Sequence, residues 1–127
     1  MTRNVILLDA NNSVSGAWQW VQQHPFRHMP VVNADKKLVG ILSSHDILLA
    51  LHQYSASILS ESITTIMITQ VITAGPETRV RRIAEVMVNH NIGCVPVVAD
   101  NDQVIGIVTR TDILRSVMHE APLELWT

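Results

Sequence analysis

Apolar positions along this chain switch between a helical and a strand-like period, and the switch happens twice. Val14, Ala17, Trp18 and Val21 recur at i, i+3, i+4 and i+7, and so do Val80, Ile83, Ala84 and Met87. That spacing gathers each set on one face of an amphipathic helix. Asn12 or Ser13 suits the start of the first helix and Thr78 that of the second, because a side-chain oxygen there accepts from an otherwise unpaired N–H. Short β-rich runs precede them, Val5 to Leu8 and Val71 to Thr73, each closed by turn-forming residues. Met29 to Val32 and Val95 to Val98 read as buried strands, with a proline near the start, where a missing N–H is tolerated. The polar stretches 33–37 and 99–103 predict hairpin turns into the strands Leu38 to Leu42 and Val104 to Val108. A second helix then begins near Ser43 or Thr109. It carries Ile47, Leu48 and Leu51, or Ile113, Leu114 and Val117, on its apolar face.

The two passes are one unit written twice. Pro30-Val31-Val32 recurs as Pro96-Val97-Val98, Gly40-Ile41 as Gly106-Ile107, and Asp46-Ile47-Leu48 as Asp112-Ile113-Leu114, always 66 residues on (96 − 30, 106 − 40, 112 − 46). The same offset joins Val5-Ile6 to Val71-Ile72, Val14 to Val80 and His24 to His90 without a gap. The expected fold class is α+β, two tandem β-α-β-β-α repeats packed with pseudo-two-fold symmetry. Residues 1–53 form repeat 1, 54–66 a helical linker, 67–119 repeat 2 and 120–127 a C-terminal tail. One unit is too small to bury its sheet alone. The halves are therefore expected to pack sheet against sheet over one shared core, with two equivalent clefts where they meet.

Composition narrows the function. Apolar residues make up 47% and charged residues 16% of the chain, too apolar for disorder and lean enough at the surface to imply cover by a second copy. The formal net charge is −2 and the basic residues are scattered, so there is no electrostatic footprint for nucleic acid. Arg79, Arg81 and Arg82 span one helical turn and read as a solvated face. The single cysteine, Cys94, excludes a disulfide framework and fits a reducing compartment. No apolar run approaches the roughly 20 residues of a membrane helix, and the N-terminus turns acidic too soon for a signal peptide. A cytoplasmic protein with no membrane segment is expected.

The chemistry lies in Gly40-Ile41-Leu42-Ser43-Ser44-His45-Asp46 and its counterpart Gly106-Ile107-Val108-Thr109-Arg110-Thr111-Asp112. Both read Gly-h-h-[Ser/Thr]-x-x-Asp at a strand-to-helix junction. With the Pro-Val-Val strands and the opening Met67-Ile68-Thr69-Gln70-Val71-Ile72-Thr73, this pattern resembles the CBS domain, whose tandem pair is called a Bateman module. The resemblance covers essentially the whole chain. A helix N-terminus offers N–H groups and a positive dipole end to a phosphate. Ser or Thr adds a hydroxyl, Asp one turn later can accept from a ribose, and Gly40 and Gly106 permit close backbone approach.

The resemblance implies two composite sites for AMP, ADP, ATP or another adenosyl compound such as S-adenosylmethionine, acting as a regulatory ligand with no cofactor required. In one, Ser43 and Asp46 would hold ribose and phosphate while adenine lies against Val71, Ile72 and Ile92-Gly93-Cys94. In the other, Ile107, Thr109, Thr111 and Asp112 would face Val5, Ile6 and Phe26-Arg27-His28. Arg27 and Arg110 are the candidates for phosphate. The second cleft, with Thr109 and Arg110, looks the more favourable, because in the first His45 replaces the smaller Thr111 and Phe26 can fill the adenine cleft. The resemblance also implies a homodimer, a flat disc of four repeats.

Other readings compete. [Ser/Thr]-x-x-Asp ahead of an apolar helix is also a capping box, so the motifs could serve only to start helices in a ligand-free dimerisation or interaction module. An enzyme is not expected, for want of a nucleophile, an acid–base pair or a metal site. The six histidines lack metal-ligand spacing, and His24 and His90 suit helix C-termini. Cys94 reads as a small apolar wall residue. Trp18 and Trp20 fall on different helix faces, one toward the core and the other toward solvent or a partner. Met29, Met67, Met87 and Met118 read as core, and Leu123-Glu124-Leu125-Trp126 as apolar enough to pack on a neighbour.

Overall fold

Two β-hairpins, each backed by a pair of helices, make up the structure, a computed structural model that describes residues 6–24 and 27–120, with side chains through Met118. The first half contains β1 (Leu8–Asp9), α1 (Val14–Gln23), β2 (His28–Val32), β3 (Leu38–Ser43) and α2 (Ser44–Tyr54). The second contains α3 (Val80–His90), β4 (Cys94–Val98), β5 (Val104–Thr109) and α4 (Arg110–Glu120). β1 runs parallel to β2, and both hairpins are antiparallel. The offset survives in the register: His28 faces Ser43 as Cys94 faces Thr109, and Pro30 faces Ile41 as Pro96 faces Ile107. Both hairpins carry an irregularity at the same place, Val31/Val32 and Val97/Val98. Both turn through a left-handed residue, Lys36 (φ 65°) and Asp102 (φ 64°).

Several expectations need correction. The opening strand lies at Leu8–Asp9 instead of Val5 to Leu8, and Val71 to Thr73 form no strand. Beside them Ala74 bridges, parallel to Val97: its N–H donates to the Pro96 carbonyl and its carbonyl accepts from the Val98 N–H, both at 2.9 Å. Leu8 and Ala74 are the buried residues of these segments, so pairing centres where the side chain enters the core. Ser13 caps α1 by accepting from the Gly16 N–H at 3.1 Å. Thr78 does not cap α3; its hydroxyl accepts from Gly75 N–H at 2.9 Å and closes the preceding turn, leaving Arg79 as an N-cap without a side-chain bond. The linker is not a continued α-helix. Ser55 adopts φ 57° at the end of α2, and two short 3₁₀ turns follow at Ser55–Ser60 and Ile63–Thr65.

The shared core is also corrected: the buried side chains form two clusters. The first is built on Val14, Met29, Val31, Leu42, Ile47 and Ile63, and the second on Ile83, Met87, Val95, Val97 and Val108. The connecting segment supplies Ile58 and Ile63 to the first cluster. Trp18 and Trp20 are both half-buried against that cluster; Trp20 stacks on His24, whose Nδ1 lies 2.9 Å from the Trp20 carbonyl. Met118 is 76% exposed and Val80 48%, so neither is core in this chain. Leu48, Leu49, Leu114 and Val117 are likewise exposed on α2 and α4. Arg81 and Arg82 pair with Glu85 on an open surface, as a solvated face should. Val5, Phe26 and the segment 123–126 lie outside the described residues. No described helix is long and apolar enough to cross a membrane.

Candidate functional site

The site grows from the β3–α2 junction. Ser43, in extended conformation (φ −115°, ψ 160°), is the N-cap of α2 and closes a full capping box. Its hydroxyl accepts from Asp46 N–H at 3.1 Å, and its own N–H donates to Asp46 Oδ2 at 3.0 Å. Thr109 and Asp112 repeat the device: Thr109 N–H donates to Asp112 Oδ2 at 2.9 Å, and Asp112 N–H reaches Thr109 Oγ1 at 3.4 Å. The next amide is also engaged in each copy, Ser44 N–H to the Arg27 carbonyl and Arg110 N–H to the Gly93 carbonyl. The N-termini therefore offer an anion less than the sequence implied, since part of their N–H set is used internally. The capping role is real in both copies.

A cleft of about 370 Å³ opens beside the first junction, within the size range of small-molecule sites. Repeat 1 contributes His28, Ile41, Ser43, His45 and Asp46 to its wall. Across it stand Val71 and Ile72, and then Ile92, Gly93 and Cys94. The opening of repeat 2 reaches this position by pairing with β3. Ile41 and Ile68 exchange both backbone bonds at 2.9 Å. Gly40 makes that possible: a Cβ there would stand 2.9 Å from the Ile68 carbonyl oxygen and closer still to Met67. The close approach expected of this glycine is therefore made by the chain itself. Ile92 to Cys94 are brought in by the end of α3, where Asn91 takes the left-handed conformation (φ 51°) and its N–H caps Met87 and Val88.

Arg110 and His28 were expected at the second cleft and both line the first. The Arg110 guanidinium lies over Gly93, where a Cβ would sit 3.5 Å from its central carbon, and it donates to Asn91 Oδ1 at 3.4 Å. Among the described residues it has no carboxylate within ion-pair distance. Burial lowers the His28 pKa, Asp46 opposes that shift, and Arg110 and Arg27 add to it. Cys94 is buried and its thiol is pushed up to about 12 by burial and by Asp112. It is an inert wall, because only a thiolate is nucleophilic.

The second motif's expected partners are described in part. Ile6 is half-buried, Arg27 and Thr111 are exposed, and Ile107 is buried in β5 without lining a described cleft. Val5 and Phe26 lie outside the described residues, and the cleft whose walls are described is the Ser43–Asp46 one. His45 lines it without closing it. Ile41, Ile68, Gln70 and Asn91 also line it and were not singled out from sequence. Ile68 and Gln70 lie in the quoted opening of repeat 2, and Asn91 directly precedes Ile92, so both runs held the signal. No group of His, Cys, Asp and Glu among the described residues could hold a metal.

The structure is a duplicated unit with a cleft between its halves, and comparison supplies the family. The sequence model of the CBS domain matches residues 1–53 and again 63–119, so the chain belongs to the CBS domain family as a tandem pair. It is 38% identical over 115 residues to L-aspartate semialdehyde sulfurtransferase of Methanocaldococcus jannaschii, covering 91% of this chain and 22% of that protein. It is 31% identical over 117 residues to homoserine O-acetyltransferase of Methanohalobium evestigatum, covering 92% and 23%. The chain thus spans about a quarter of the length of these curated relatives. Among solved structures it resembles the CBS domain pair of protein MJ0100 in complex with 5′-methylthioadenosine and S-adenosyl-L-methionine, at a TM-score of 0.84 and 37% identity, covering 94% of this chain and 93% of that one.

Proposed function

We propose that this CBS pair is a regulatory, non-catalytic module that binds an adenosyl ligand, AMP, ADP, ATP or S-adenosylmethionine, in the cleft between its repeats. One observation carries the reading. A single cleft joins Ser43 and Asp46 of the first repeat to Val71, Ile72 and Ile92–Cys94 of the second. Apolar walls suit a purine, the Asp46 carboxylate suits a ribose, and Arg110 suits a phosphate. The 37%-identical pair solved with adenosyl ligands supports the choice of class. A ligand that touches both halves can regulate if its affinity differs between their arrangements, and the exposed apolar residues of α2 and α4 provide a face for pairing two copies. The completed capping boxes favour the rival, a ligand-free interaction module.

Thermal-shift titration with each nucleotide and with S-adenosylmethionine decides between them. We expect stabilisation by at least one ligand, lost in Asp46→Ala and retained in Asp112→Ala. The absence of any shift at millimolar concentration supports the rival module.

A further inference from the structure

Asp46 and Arg110 bring opposite charges to the wall of the cleft beside Ser43, but their surroundings are unequal. Asp46 sits in the first turn of α2, where a helix favours an anion, and its Oδ2 accepts the Ser43 N–H at 3.0 Å. Arg110 opens α4, where the same dipole disfavours a cation. Among the described residues its exposed guanidinium makes one hydrogen bond, a long one of 3.4 Å to the neutral Asn91 side chain. No carboxylate of the described residues lies within ion-pair distance of it, whereas Arg81 and Arg82 both reach Glu85. The two junctions each place one arginine at the same hydrogen bond, from opposite sides. Ser44 N–H donates to the Arg27 carbonyl as Arg110 N–H donates to the Gly93 carbonyl, the offset pairing Ser44 with Arg110 and Arg27 with Gly93 (44 + 66, 27 + 66). Across that bond the Arg110 guanidinium lies over Gly93, in the cleft wall, 3.5–3.6 Å from where a Cβ would stand.

We propose, resting on the adenosyl-binding reading of this cleft, that Arg110 is its specificity-determining residue. It admits adenosyl ligands that carry a phosphate and disfavours those that carry a cationic sulfonium. Adenosine is common to the whole class, so the apolar walls and Asp46 treat its members alike. They differ in the group on the 5′ carbon. A phosphate there meets a guanidinium with N–H donors to spare, and charge-assisted bonds replace the long one to Asn91. It also offsets the positive end of α4 on which Arg110 stands. A sulfonium brings a second positive charge to the same place, and Arg110 does not shed its own by losing a proton. His28 meets the same resistance to positive charge: its charged form is disfavoured by burial and then, against the pull of Asp46, by Arg110 and Arg27.

Isothermal titration calorimetry of the full chain at about pH 8, above the ordinary histidine range, compares AMP, adenosine and S-adenosylmethionine. We expect AMP to bind at least about tenfold tighter than either of the others. Arg110→Gln should bring AMP down to the level of adenosine and leave adenosine where it was. Arg110→Lys should keep part of the preference, as a charge without the planar fork, and Arg110→Glu should place S-adenosylmethionine ahead of AMP. These variants should fold, because Arg110 is exposed. Without ligand, Arg110→Gln should melt no lower than the parent, since it removes a cation from the N-terminus of α4. Arg81→Gln, on the solvated face outside the cleft, should leave all three affinities unchanged. Adenosine or S-adenosylmethionine binding as tightly as AMP, or an AMP preference that survives Arg110→Gln, overturns the proposal and leaves the adenosyl reading of the cleft standing. No binding of any of the three at millimolar concentration overturns that reading and the proposal with it.

Discussion

The two repeats share a register and a hairpin geometry, yet their cores are completed differently. In repeat 1 the connecting segment closes the space between α1 and α2, and six of its large or branched core residues have no exposed surface. Repeat 2 draws its core from fewer described residues, and Val80, Leu114 and Val117 face outward. A duplicated sequence thus gives equivalent hairpins but unequal burial, because burial depends on what lies between the copies. The described cleft lies on the Ser43 side, where the opening of repeat 2 is tied to β3 through Ile68.

The largest expected effect tests the connecting segment. Ile63 has no exposed surface, so Ile63→Ala should cost about 3 kcal/mol of stability, read as a lowered urea midpoint. A paired test follows at equivalent positions. Val14→Ala should cost about 2 kcal/mol, from two lost methyl groups and the cavity they leave, whereas Val80→Ala should stay within about 0.5 kcal/mol. Equal losses at the two valines would mean that Val80 is covered in solution.

Much of this was legible in the sequence because the signals are local. The 66-residue offset, the amphipathic spacings and the Ser/Thr-x-x-Asp caps each depend on neighbours along the chain, and strands and helices followed within a few residues. Separate cores were not legible. Ile58 and Ile63 are merely apolar in sequence, and only packing shows that they plug repeat 1. Arg110 was misplaced for a similar reason. It adjoins Thr109 in the chain, but its long side chain crosses Gly93 to the other cleft, and sequence does not encode that direction. Thr78 looked like a helix cap because a cap and a turn lock need the same oxygen, and the turn at Gly75 took it.

A smaller pair of effects concerns the caps. Ser43→Ala should cost about 1 kcal/mol, since it frees Asp46 N–H from a 3.1 Å bond. Thr109→Ala should cost a similar amount, because it loses a longer bond from Asp112 N–H, 3.4 Å, together with the bond its hydroxyl donates to Asp112 Oδ2 at 3.1 Å. Denaturation midpoints of the two variants give the comparison directly, and a loss confined to one of them would mean that the two caps are not equivalent.

The finest contrast lies at positions 28 and 94, which the offset makes equivalent (28 + 66). His28 titrates below its ordinary 6.5 because burial, and then Arg110 and Arg27, disfavour its charged form against the pull of Asp46. The unfolded chain therefore binds the proton first as pH falls through 6.5, and stability declines until pH has passed the lowered native value. Cys94 works on the opposite flank. Its thiol is held up at about 12 against an ordinary 9.0, so the unfolded state loses its proton first as pH rises through 9.0, and stability falls there too. Urea midpoints across the pH range should be highest between these flanks. His28→Asn should flatten the acid flank alone and Cys94→Val the alkaline flank alone. If either variant leaves its own flank unchanged, that side chain is not desolvated in the folded protein, and the asymmetry drawn between the two walls of the cleft fails at that position.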